Sequence, residues 1–286
     1  MKIILIACLL GASFCTQAQS LHADLYAGAA NYQGDLQGKK ISFDNSGPAL
    51  GLGLSYDITN KLIVRGAATY LKVKGSDNNS GSKGVPSRNL SFKTSVLEAQ
   101  LALEYNLLDL SERSFTPYVF AGLAVFHFNP YAFDSSGSRV YLRSLGTEGQ
   151  GLTAYPEKQL YKNNQLAIPF GGGLKLALSD NLQVEIEIGL RKLFTDYLDD
   201  VSGTYADSTL LANGRGTQAV AFAYRGSQIP GSPSYPGEGA IRGNPDKKDW
   251  YYVTGIRISY LLGSGAGNGR RGGGGKNKLG CPTRVY

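Results

Sequence analysis

Apolar and polar residues alternate with a period of two over most of the chain between residues 21 and 262, the pattern of strands that turn one face toward an apolar medium. The clearest run sets Leu182, Val184, Ile186, Ile188 and Leu190 against Gln183, Glu185, Glu187, Gly189 and Arg191. A second sets Leu97, Ala99, Leu101, Leu103 and Tyr105 against Glu98, Gln100, Ala102 and Glu104. Leu50, Leu52, Leu54 and Tyr56 alternate with Gly51, Gly53, Ser55 and Asp57. Ile168, Phe170, Leu174, Leu176 and Leu178 oppose Gly171, Gly173, Lys175 and Ala177, and Tyr252, Ile256, Ile258, Tyr260 and Leu262 oppose Gly255, Arg257 and Ser259. Strands over 21–32, 62–71 and 116–128 complete a set of eight, the last with Tyr118, Phe120, Ala124, Phe126 and Phe128 on one face.

Alternation suits a soluble sandwich as well as a barrel, so the connections must decide. Strands two and three, four and five, and six and seven are joined by brief turns near 57–61, 107–115 and 179–181. The other connections, 33–47, 72–89, 129–165 and 195–248, are long and rich in Gly, Ser, Asn, Asp and Pro. Strict alternation of short and long connections is the signature of an outer-membrane barrel, whereas a loop as long as 195–248 is hard to place in a compact soluble domain. The sequence therefore predicts an all-β, eight-stranded antiparallel transmembrane β-barrel with long outer loops and short periplasmic turns. An even strand count puts both termini in the periplasm. Aromatic residues at strand ends (Tyr32, Tyr56, Tyr70, Phe92, Tyr105, Tyr118, Phe128, Phe194, Tyr252 and Tyr260) are the predicted interfacial girdles.

Composition agrees: 38 Gly, 18 Tyr and 11 Phe against one Met and one Trp favour short strands and loops over long helices. No stretch after residue 20 approaches the roughly 18 apolar residues of a spanning helix, so a closed barrel is the way left to cross lipid with every backbone group satisfied. Lys2, the apolar run 3–10 and Thr16-Gln17-Ala18 predict a signal peptide over 1–18, cleaved before Gln19. Lipidation of Cys15 is the alternative, which the bulky Phe14 fits poorly. Cleavage would leave Cys281 alone, without an intramolecular disulfide. The barrel is predicted over 19–262 and a flexible, Gly-rich periplasmic tail over 263–286. That tail holds Arg270, Arg271, Lys276, Lys278 and Arg284 and no acid, so most of the +7 net charge is an appendage. It either docks an acidic partner or anionic headgroups, Cys281 being a further point of pairing, or simply trails the last strand.

The inward faces hold Arg65, Glu98, Glu104, Lys175, Glu185, Glu187, Arg191 and Arg257. An eight-stranded barrel is only wide enough for side chains to fill it, and unpaired charges there are costly. The expectation is a salt-bridged plug, with a narrow ion path as the alternative. Catalysis has little to draw on. His22 begins the first strand on the periplasmic side, and His127 lies at the outer rim without an evident nucleophile. Gly171-Gly172-Gly173 leads into no helix, so it is no phosphate loop, and no metal-ligand spacing is visible. We expect no enzyme, no cofactor, no metal and no nucleic-acid partner.

Several segments resemble one family. Asn31-Tyr32-Gln33-Gly34-Asp35-Leu36, Thr116-Pro117-Tyr118-Val119-Phe120-Ala121-Gly122, Ile168-Pro169-Phe170-Gly171-Gly172-Gly173, the run from Arg191 to Ser202, Arg242-Gly243-Asn244-Pro245 and Cys281-Pro282 are similar to the DUF6089 outer-membrane barrels, among them the PorG-like components of the type IX secretion system. The resemblance implies a non-enzymatic barrel that contacts the periplasmic lipoprotein ring of that machine. A stand-alone structural barrel or small channel is the other reading. The tail is longer and richer in Gly than the family leads one to expect.

Overall fold

The computed structural model describes residues 20–37, 45–77 and 88–264. The predicted signal peptide and nearly all of the predicted tail lie outside them. Ten antiparallel strands form one sheet in the order β3-β2-β1-β10-β9-β8-β5-β4-β6-β7. They are β1 (Ser20–Gln33), β2 (Gly47–Asp57), β3 (Leu62–Ser76), β4 (Ser91–Asn106), β5 (Phe115–Phe128), β6 (Tyr131–Phe133), β7 (Arg139–Tyr141), β8 (Asn164–Ala177), β9 (Leu182–Leu193) and β10 (Trp250–Ser264). A further pairing of β3 with β4 closes the wall, from Leu62 opposite Tyr105 to Ser76 opposite Ser91. Eight strands thus make a barrel without a free edge, and the β6–β7 hairpin extends the sheet above it.

Register fixes which side chains face in, because a one-residue slip would turn every side chain over. Leu52, Leu101, Leu123, Ile186 and Ile256 are at least half exposed on the outer face, while the charged partners of the alternation are enclosed. In water such a surface would be unstable; against lipid it is the expected one. β5 reverses the bulk of its two faces. Val119, Leu123 and Val125 point outward, and the aromatic face of Tyr118, Phe120, Phe126 and Phe128 fills the interior.

Three expectations need correction. β3 runs past its predicted end, to Ser76. Lys72 and Lys74 make this stretch read as a loop, yet the inward Val73 remains buried. The long connections 129–163 and 194–249 are not featureless. The first holds β6, β7 and α1 (Leu142–Leu145), and the second α2 (Ser208–Arg215) and α3 (Thr217–Ala223). Asp207 caps α2 by accepting hydrogen bonds from the backbone of Thr209 and Leu210, both at 2.9 Å. Of the predicted girdle, Tyr56, Tyr70, Tyr105, Phe194 and Tyr260 face outward, but Tyr32, Phe92, Tyr118 and Phe128 are buried inside and Tyr252 is covered. Folded loops roof the strand ends at Tyr32, Phe92 and Phe128, so their rings pack instead of lying at an interface, while Tyr118 turns into the lumen and bonds Glu187.

Candidate functional sites in the lumen and the cap

The barrel interior is stacked in three layers. The lowest is ionic. Lys175, Glu185 and Arg257 lie directly across from one another on β8, β9 and β10, so strand register alone sets cation, anion and cation side by side. Lys175 Nζ is 2.5 Å from Glu104 and 3.3 Å from Glu185. Arg257 bridges Glu185 at 2.9 Å and Glu104 at 3.5 Å, and also holds Glu187. Arg65, fully enclosed, sits 2.8 Å from Glu187 and 3.1 Å from Glu104, with its guanidinium 4.3 Å from the Phe120 ring centre. Tyr118 donates to Glu187 at 3.0 Å. Higher up, Arg191 pairs with Glu98 at 3.1 Å and reaches Gln100 at 3.3 Å, and Tyr251 donates to Glu98. All eight inward charges named from the sequence therefore meet partners of opposite sign, four cations against four carboxylates.

Glycines make room for this packing. A Cβ on Gly173 would lie 2.1 Å from the Ile186 carbonyl and 2.9 Å from the Tyr118 ring. The Gly171–Gly173 run serves close strand approach and ring packing. A cavity of about 20 Å³ beside Asp24, Tyr26, Gln100, Glu187 and Arg191 is the size of a water or so, not of a pore.

Above the charges comes an aromatic column. Tyr251, Phe126, Phe128, Tyr161 and Tyr197 follow one another with ring centres 6.0, 5.6, 5.9 and 4.8 Å apart. Leu71, Val96, Leu193 and Val253 from the wall pack in the same core as Leu142, Leu145, Leu198, Leu211 and Phe222 from the loops. The long connections thus form a cap whose core is continuous with the upper lumen.

The third layer is polar and buried within the cap. Glu148 accepts from Arg242 at 2.9 Å, from the Ser202 and Gly203 amides at 2.9 and 3.2 Å, and from Tyr197 at 3.2 Å. Asp200 accepts from Thr147 at 2.6 Å and Tyr161 at 2.7 Å. Tyr32 shares its hydroxyl between Asp199 and Asp249, with oxygens 2.6 and 2.9 Å away. Asp35 accepts from the Asn244 amide at 2.9 Å. Arg88 ties the β3–β4 connection to the Arg242 carbonyl and to Asp77. Burial drives the carboxyls of Asp35, Asp196, Asp199, Asp200 and Asp249 up. Asp196, whose two oxygens make no hydrogen bond of normal geometry, rises to about 7 against the lowering effect of Ser202. Asp200 rises to about 6, opposed by Arg242. Asp199 and Asp249 rise well above the usual range, first through burial and then, for Asp249, through the Asp199 charge. Against the burial that opposes its charge, Glu148 and Asp200 hold Arg242 further up.

The cap explains three segments that the sequence singled out only as family likeness. Residues 31–36, 191–202 and 242–245 converge there through Tyr32, Asp35, Asp199, Asp200 and Arg242. Sequence reading missed this site because its acids stand in irregular segments, where no periodicity marks a buried position. His127 bonds through Nδ1 to Asn164 at 2.7 Å, and among the described residues no carboxylate lies within ion-pairing distance of it. His22 is buried near Asp57, at 3.9 Å. The described residues contain no group of three side chains fit to hold a metal. Arg270, Arg271, Lys276, Lys278 and Cys281 lie outside the described residues.

A closed eight-stranded wall, apolar without and ionic within, defines an outer-membrane β-barrel. The chain belongs to the family described as domain of unknown function DUF6089, whose profile matches residues 1–215. Similar solved structures include the Neisserial surface protein NspA (11% identity, 86% of this chain and 99% of that one, TM-score 0.41). Ail of Yersinia pestis (8%, 86% and 100%, 0.41) and OprG from Pseudomonas aeruginosa (14%, 85% and 97%, 0.38) are others. No curated protein matches the sequence.

Proposed function

We propose that this protein is a non-conducting outer-membrane anchor within an envelope protein complex, with its cap outside the cell and both termini in the periplasm. The observation that carries this reading is the lumen: four cations pair with Glu98, Glu104, Glu185 and Glu187, an aromatic column sits above them, and a folded cap roofs the whole. Among the described residues the lumenal cavity beside these charges is only water-sized, so the interior suits a scaffold better than a pore. The family membership and the likeness of residues 31–36 and 191–202 to PorG-like barrels favour the type IX secretion system as that complex. A periplasmic lipoprotein ring is then the partner, reached through the basic tail residues Arg270, Arg271, Lys276 and Lys278.

The test is affinity capture of the intact protein from mild detergent beside a variant lacking 265–286. Recovery of a periplasmic lipoprotein with the intact chain and its loss from the truncated one are expected. Equal recovery from both removes the tail from the interface, and recovery of none from either removes the partner. The balanced lumen also suits a stand-alone structural barrel, which capture of a partner-free monomer would favour. Steady single-channel conductance in planar bilayers would overturn the plug.

A further inference from the structure

The eight-stranded wall does not carry the same chemistry all round its upper rim. On β3 and β4 the outward apolar column ends at Tyr70 and its cross-strand neighbour Leu97. The next outward pairs are Lys72 with Ser95 and then Lys74 with Lys93, each step rising about 6–7 Å. There β5 has ended, and the hairpin β6–β7 takes its place beside β4, with Tyr131 opposite Lys93 and Tyr141 opposite Tyr131. Directly opposite residues in an antiparallel pair share a face. Lys93, Tyr131, Tyr141, Phe133 and Arg139 therefore all look outward with Lys72 and Lys74.

The rings hold the cations in place. Arg139 stacks 4.3 Å from the Tyr131 ring centre, Lys93 reaches to 4.9 Å from that of Phe133, and Lys72 lies 6.0 Å from Tyr70. Tyr131 meets Phe133 and Tyr141 edge-on, with centres 5.6 and 6.1 Å apart. None of the four cations takes part in an ion pair among the described residues. The nearby hairpin acid, Asp134, is occupied by the Ser136 amide and hydroxyl and the Ser138 amide. This contrasts with the lumenal cations Arg65, Lys175, Arg191 and Arg257 and with Arg242 of the cap, each of which meets a carboxylate. Four unneutralised cations set among exposed rings, immediately above a lipid-facing belt, call for anions held at that height by acyl chains below.

We propose that the outward face of β3, β4 and the β6–β7 hairpin binds a phosphorylated lipid of the outer leaflet. Lys72, Lys74, Lys93 and Arg139 take its phosphates, and Tyr70, Phe133 and Tyr141 lie against its upper chains and sugar faces. The site rests on the reading above that the cap end faces outside. Arg139 offers a planar fork suited to a phosphate, and the amphipathic rings are suited to the interface.

The experiment uses the full chain in phosphatidylcholine nanodiscs doped with bis-phosphorylated lipid A, with retained lipid read by native mass spectrometry. Each cation near an anionic surface contributes about fivefold. The triple variant Lys72→Gln/Lys93→Gln/Arg139→Gln is therefore expected to bind about a hundredfold more weakly. Lys61→Gln, at the short-turn end, serves as control and should bind as the native chain does. Dephosphorylated lipid A should bind the native chain as poorly as intact lipid A binds the triple variant. Equal retention by native and triple-variant protein, or equal binding of the dephosphorylated lipid, overturns the site. Displacement by millimolar inorganic phosphate overturns the lipid in favour of any phosphate anion. All the substituted side chains are on the surface, and unchanged heat-modifiable migration would verify folding. Orientation is read separately, by labelling Ser136→Cys on intact cells with an impermeant maleimide. Failure to label overturns the outer-leaflet assignment even where binding in nanodiscs persists.

Discussion

Arg65 is the side chain whose removal tests the lumen most sharply. It is wholly enclosed, pairs with Glu187 at 2.8 Å and Glu104 at 3.1 Å, and lies over Phe120. Arg65→Met keeps much of the volume but leaves Glu98, Glu104, Glu185 and Glu187 facing three cations. At an effective dielectric constant near 20, each lost contact is a gross attraction of about 5–6 kcal/mol. Most of that is offset by the desolvation that the pair no longer needs. Glu187 keeps Arg257, and Glu104 keeps Lys175, so the net loss falls near the lower end of the range for a broken buried pair, about 3 kcal/mol. With a urea slope of about 1–3 kcal/mol per molar, the unfolding midpoint should drop by about 1–3 M. The assay is urea unfolding in lipid vesicles, followed by tryptophan fluorescence and heat-modifiable migration. Adding Glu187→Gln restores the balance of charge, so the double variant should lose less than the sum of the two singles. A single-variant loss below about 1 kcal/mol, or strict additivity, would refute the claim that opposite charges hold this interior together.

Other consequences are independent of that network. Leu101→Arg, in the middle of β4 on the outer face, should cost about 2–4 kcal/mol in vesicles; a loss no larger than that of an ordinary surface change would contradict a lipid-facing belt. Arg242→Met strands Glu148 and Asp200 and should loosen the cap by about 3–5 kcal/mol. Limited proteolysis within 194–249 should accelerate while the barrel keeps its folded migration, and joint loss of both would show that cap and barrel unfold together. The cap should also respond to pH. Asp196 and Asp200 titrate near 7 and 6 when folded, above the unfolded value of about 4. The folded cap thus holds protons that the unfolded chain has released, and its stability falls as pH rises from about 4 through about 7. Proteolysis should be slower at pH 5 than at pH 8 in the native chain, and Asp196→Asn should flatten the difference; a cap tighter at pH 8 would reverse the sign and refute the burial argument.

The sequence by itself determined the barrel, because period-2 alternation and the rhythm of short and long connections are local properties. Leu182–Arg191 shows this: its apolar positions declare a lipid face, and its Glu185, Glu187 and Arg191 declare an enclosed one. Which charges meet was not local. Lys175, Glu185 and Arg257 become neighbours only through the register of β8, β9 and β10, and Arg65 reaches Glu187 across the lumen. Phe128 looked like part of an interfacial girdle because the sequence cannot show that a roof lies above it. The cap was least legible of all. Tyr32, Asp35, Glu148, Asp199 and Arg242 come from distant irregular segments, and the burial that gives their charges meaning exists only after the loops pack on one another. Local patterning decides which face a strand presents to its surroundings, whereas pairing among buried charges is a long-range geometric outcome that only the closed wall and its roof decide.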